Sequence, residues 1–182
     1  LKVGILLGVS DSSGIKSREK ESDLQKFYLS DKFAMDLLNK FARRGGIEIS
    51  MIRRTSSTDL SNKANDQKFD LLIALSCQKQ DYLENGIKVA YNVNSRESRA
   101  IASLFQEELS FATGLKNLGT VPRNKDDGDG IIMHKLDTPC IIVDPFPIYT
   151  KDELQSIVNK YETILNSFIS TIIKIDNQKM LR

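Results

Sequence analysis

The sequence predicts an α/β protein in one domain spanning residues 1–182: a largely parallel, twisted sheet of about six strands flanked by helices. Three observations carry this. Strand-like and helix-like stretches alternate in the order β, α, β, α, β, β, α, β, β, α, as layered α/β domains do. Asp70-Leu71-Leu72-Ile73-Ala74-Leu75-Ser76 is a near-continuous apolar run, the pattern of a strand covered by helices on both faces. With 182 residues and 20.5 kDa, the chain is long enough to build one such core.

Lys2 to Leu7 is a short apolar run ending at Gly8, a buried strand entering a loop rich in Ser, Asp and Gly. Ser22 with Gln25 resembles a capping box. Leu24, Phe27, Tyr28, Ala34, Leu37, Leu38 and Phe41 then recur at helical spacing until Gly45-Gly46 offers a left-handed stop. Ile47, Ile49 and Met51 alternate with polar neighbours as in a half-buried strand, and Thr55 to Asp66 holds a short helix. Gly86 to Asn92 is the next strand, and Ser95 opens a helix with Ile101, Ala102, Leu104, Phe105 and Leu109 facing the core, ending near Gly114. After a charged turn from Asn124 to Gly130, Ile131 to His134 and Cys140 to Val143 read as a pair of strands. Thr150 and Glu153 cap a final helix, a single apolar stripe from Leu154 to Ile173. Phe168, Ile169, Ile172 and Ile173 lie at its far end, where a helix that overhangs its core needs another surface; a homodimer through this C-terminal helix is the expectation set beside burial within one chain.

Composition narrows the function. A net charge of +2 with interspersed signs gives no electrostatic case for nucleic acid, and no apolar run is long enough for a membrane span. Two cysteines and one histidine are too few for a disulfide framework, a cysteine zinc site or a paired-histidine metal site. The chain opens on Leu1 rather than Met, as expected after trimming upstream, with room for an export signal; the compartment stays open.

In open α/β sheets, ligands bind outside the carboxyl ends of the strands. The residues to inspect therefore follow Leu7, Leu75 and Val143: Val9, Ser10 and Asp11; Ser76 and Cys77; Asp144 and Phe146. Ser10 to Gly14 suits a phosphate-cradling loop, although the next helix starts too far away for its dipole to help. His134, inside an apolar run, reads as a packed, hydrogen-bonded imidazole. Cys77 has no second His to activate it, and a bridge from Cys77 to Cys140 is not expected. Asp127-Gly128-Asp129-Gly130 lacks the twelfth-position Glu of a calcium loop and reads as a turn.

Seven segments, in order and at matching spacings, resemble the zinc-dependent N-acetylmuramoyl-L-alanine amidases, cell-wall hydrolases that cut between muramic acid and the stem peptide. They are the strand ending at Gly8, the long helix into Gly45-Gly46, Ile49-Ser50-Met51-Ile52-Arg53-Arg54-Thr55, Asn62-Lys63-Ala64-Asn65 before Phe69-Asp70-Leu71-Leu72-Ile73, Gly86-Ile87-Lys88-Val89-Ala90-Tyr91, Gly114-Leu115-Lys116-Asn117-Leu118-Gly119, and Lys135 to Asp144. The resemblance implies an amidase-like fold over about Lys2 to Ile173. It also implies a zinc ion held by two His and one Glu, with a second Glu as general base.

At the positions the resemblance assigns to those groups, this chain carries other residues. The first His becomes Val9, the ligand Glu becomes Lys26, the second His becomes Ser76, and the general base becomes Asp144. Val has no lone pair to offer and a Lys cation repels a metal, so no metal ligand set and no cofactor are expected, and Asp144 is expected either to accept nearby amides or to pair with Lys26. The reading is a non-catalytic, amidase-like protein that binds peptidoglycan, a muropeptide or a cell-wall protein. Its site is lined by Val9, Ser10, Asp11, Lys26, Ser76, Cys77 and Phe146, with Asp144 in the general base's place, and the resemblance favours the cell envelope outside the cytoplasm. Two alternatives stay open: an active amidase with displaced ligands drawn from Asp11, Glu19, Glu21, Asp23, Cys77 and Asp144, and an anion- or nucleotide-binding domain using Ser10 to Gly14.

Overall fold

The computed structural model describes residues 1–7, 21–53, 57–76, 86–128, 130–147 and 151–181, without the side chains of 21–27, 57–59 and 151–154. The elements run β1 (Lys2–Leu7), α1 (Glu21–Ala42), β2 (Glu48–Arg53), α2 (Ser57–Asp66), β3 (Leu71–Leu75), β4 (Ile87–Asn92), α3 (Arg96–Thr113), β5 (Asn117–Arg123), α4 (Gly130–Met133), β6 (Cys140–Val143), α5 (Lys151–Asn159) and α6 (Tyr161–Asn177). The six strands form one sheet in the order β2-β1-β3-β6-β4-β5. Every pairing is parallel except β4 with β6. The carboxyl ends of β2, β1, β3 and β6 therefore share one edge of the sheet with the amino ends of β4 and β5.

Alternation along the central strands explains their unbroken apolar runs, since each face of the sheet is covered. On one face Val3, Ile5, Ile73, Ile141, Val143 and Val89 meet Phe33 and Leu37 of α1, Phe105 and Leu109 of α3, and Ile164, Phe168 and Ile172 of α6. On the other, Leu6, Leu72, Ala74, Ile142 and Ala90 meet Leu60 and Ala64 of α2 and Ile132 and Met133 of α4. Burial of this kind stabilises by about 1.5–3 kcal/mol for each large apolar side chain. Helix α3 has the expected ends: Ser95 accepts the Ser98 amide at 3.0 Å, and Gly114, at φ 70°, sends its N–H back to Ser110 O.

Four expectations are corrected. Ile131 to His134 is not a strand, because residues 130–133 form the short helix α4, and an apolar run this brief has no period to distinguish the two. The strand that borders β4 is instead β5, in a polar stretch that pattern alone leaves unassigned. The last helix is two, broken at Lys160, whose ammonium reaches Thr113 O at 2.5 Å and so caps the carboxyl end of α3. Tyr28, placed on the core stripe of the first helix, is 68% exposed, while Phe33 takes the central position. The far end of α6 does not overhang, since Phe168 and Ile172 are fully buried in their own chain.

Candidate functional site

Parallel register sets the frame of the site. Leu7 pairs with Leu75, and Leu75 with Val143, so three adjacent strands end level, and the next described positions on two of them are 76 and 144. Ser76 continues that ladder by donating its N–H to Val143 O at 2.8 Å. Thus the residues that chain order separates, Ser76 and Asp144, stand side by side at the carboxyl edge. Both are nearly buried, at 5% and 6% exposure, and each makes a further interaction.

Asp144 follows β6 in a tight turn. Its Oδ1 accepts the Phe146 N–H at 3.1 Å, two residues on, an arrangement that Asp side chains favour when the chain changes direction. This matches one of the two partners expected for that carboxylate, a nearby amide. Lys26, the other, lies on α1, with its side chain outside the described residues; Val9, Ser10, Asp11 and Cys77 also lie outside them, as does the Ser10 to Gly14 loop. Phe146 is brought to the site by its backbone, while its ring turns fully into the core.

Beneath Phe146 lies a cluster that pattern reading missed. The Phe146 ring is stacked on Tyr161, with planes 6° apart and centroids 5.9 Å apart, and meets Phe33 edge-on at 5.0 Å. The Tyr161 hydroxyl donates to Asp36 Oδ2 at 2.7 Å, Lys32 pairs with the same carboxylate, and the Lys32 ammonium sits 4.3 Å from the centre of the Tyr161 ring. The Lys32 hydrogen bond, then that from Tyr161, holds the Asp36 carboxyl below the usual carboxylate range; burial, then the Asp36 hydrogen bond, pushes the Tyr161 phenol up. The spacing of Lys32 and Asp36 on one helix was the available signal.

The remaining candidates settle into structural places. His134 Nε2 lies 3.2 Å from Arg123 O, the hydrogen-bonded imidazole expected, though beside α4 rather than in a strand. Cys140 is a free thiol buried in the sheet, and burial pushes it up to about 12. Asp127 accepts the Asn124 N–H at 2.6 Å, closing a turn. Among the described residues no three His, Cys, Asp or Glu side chains gather as a metal-binding group, and no helix is long and apolar enough to cross a membrane.

Residues 10–174 match the family model of N-acetylmuramoyl-L-alanine amidase. Among solved structures, the chain is similar to the N-acetylmuramoyl-L-alanine amidase from Clostridium difficile 630, with TM-score 0.74 and 18% identity over 96% of this chain and 95% of that one. It is equally similar to the catalytic domain of CD27L, an endolysin targeting Clostridia difficile, with TM-score 0.74 and 18% identity over 95% and 97%. The CwlD amidase from Clostridioides difficile, in complex with the GerS lipoprotein, gives TM-score 0.61 and 12% identity over 95% and 96%. Identities this low carry the fold alone. No curated protein matches the chain.

Proposed function

The chain belongs to the N-acetylmuramoyl-L-alanine amidase family, and we propose that it keeps the family's fold and groove but binds peptidoglycan without cleaving it. The observation that carries this reading is the register of β3 on β6, which sets Ser76 and Asp144 next to one another just past the ends of adjacent parallel strands. The edge where the family's resemblance puts a zinc ion is intact in register, yet it presents a hydroxyl and a carboxylate.

A catalytic zinc needs three good protein ligands and an open position, so that the bound water's pKa falls to about 7. The donor set here does not fit. Val9 offers no lone pair, Lys26 brings a cation, and the Ser76 hydroxyl is a poor ligand beside an imidazole. Asp144 is one methylene shorter than Glu, and its Oδ1 already accepts the Phe146 amide. No step is therefore routed through a metal. In this reading the Lys26 ammonium and the Asp144 carboxylate fill the former ion site, and with Ser76, Ser10, Asp11 and Cys77 they form a polar floor beside Val9 for a muropeptide.

Peptidoglycan as ligand places the chain's work in the cell envelope, outside the cytoplasm. A cell-wall protein is the alternative partner; the CwlD amidase, which shares this fold, forms a complex with the GerS lipoprotein.

Cosedimentation with purified peptidoglycan, read with and without a chelator, tests the reading. The expected result is binding that the chelator leaves unchanged, with no stem peptide released. Chelator-sensitive release of peptide would show an active hydrolase with displaced ligands, and absence of binding would remove peptidoglycan as the ligand.

A further inference from the structure

Asp144 is held from behind by a chain of contacts that ends at the protein surface. Its Oδ1 accepts the amide of Phe146, and Pro145 between them fixes one side of that turn. The other side is fixed by the Phe146 ring, fully buried between Phe33 and Tyr161. Tyr161 is fixed in turn by its hydroxyl on Asp36, and Asp36 by Lys32. Tyr161 opens α6 at the break after Lys160, and Asp36 lies on α1, so one phenol ties two helices to the turn that carries the carboxylate.

We propose that Tyr161 is a positioning residue for Asp144, acting through the Phe146 ring and amide to keep the carboxylate aimed along the strand edge. The proposal rests on the reading that Asp144 belongs to the ligand site, and it adds a residue that never touches the ligand. Aromatic pairs at these separations interact by geometry as well as by burial, so displacing Tyr161 loosens the packing that anchors the Phe146 backbone. A carboxylate that accepts a well-aimed N–H stays ionised to lower pH; one whose donor has drifted does not.

The test is the titration of the Asp144 side-chain carboxyl, followed by carbon-detected NMR in the ligand-free protein. Tyr161→Phe keeps the ring and removes the hydroxyl, and Asp36→Asn removes the ionised acceptor. Both should raise the Asp144 midpoint by roughly half a unit or more. For Asp36→Asn the loss of a negative charge alone would lower the midpoint, so a rise cannot come from that charge. Ser167→Ala, which removes a hydroxyl bond to Glu108 O at 3.2 Å between α3 and α6, serves as the control and should leave Asp144 unmoved. An unmoved midpoint in Tyr161→Phe or Asp36→Asn, or an equal shift in Ser167→Ala, overturns the proposal. Because no ligand is present, this result is independent of whether the chain binds peptidoglycan.

Discussion

Phe168→Ala separates a helix that completes its own core from one that serves a second copy of the chain. Phe168 is fully buried, its ring 5.2 Å from that of Phe33 and 4.7 Å from that of Phe105, so it joins α6 to both α1 and α3. Truncating a buried Phe to Ala costs about 3–5 kcal/mol through lost transfer free energy and the cavity left behind. The two ring contacts, each contributing about 0.5–1.5 kcal/mol beyond burial, place this site in the upper part of that range, near 4 kcal/mol. Against a typical domain stability of about 5–15 kcal/mol, the variant folds but with a much lower denaturation midpoint. Urea unfolding followed by circular dichroism measures the loss, and sedimentation measures mass before and after. A loss under about 1 kcal/mol accompanied by a change in mass would refute the reasoning, since it would mean that the ring packs on another chain.

Other perturbations have outcomes of their own. Gly130→Ala should destabilise by more than about 2 kcal/mol in the same urea assay, because its Cβ would stand 1.8 Å from Asn124 O, a backbone atom that cannot yield; a neutral result would contradict the geometry of the turn. Asp36, held below its usual range by Lys32 and then Tyr161, contributes stability that is present above the unfolded value of about 3.9 and is lost as pH falls through the folded value. Acid unfolding of Asp36→Asn should accordingly begin from a lower stability and lack that component; identical acid limbs would count against the ion pair.

The residues show why some of this was legible in the sequence. β1, β3 and β6 are covered on both faces, so they print unbroken apolar runs, and α3 carries its own punctuation in Ser95 and Gly114. β5 carries no such mark: it borders the sheet on one side only, includes Pro122, and bends at Gly119 with φ 84°, so its sequence Asn117 to Arg123 looks like a loop. The break at Lys160 is equally silent, since Ile157, Tyr161, Ile164 and Leu165 keep helical spacing across it and the Lys160 ammonium bonds a distant carbonyl, Thr113 O. Within the site, the strand-end rule selected Ser76 and Asp144, and register brought them together. Below them the bond from Tyr161 to Asp36 joins residues 125 positions apart, which no local pattern records.

Metal stoichiometry tests most directly the proposal that the strand edge of this amidase-family chain carries a polar site where the family's resemblance puts a metal. The purified chain is equilibrated with excess zinc, dialysed free of unbound ion, and measured by elemental analysis. The account predicts well under one zinc per chain, unchanged in Asp144→Ala. One tightly held zinc per chain, or chelator-sensitive cleavage of muropeptides, would contradict it.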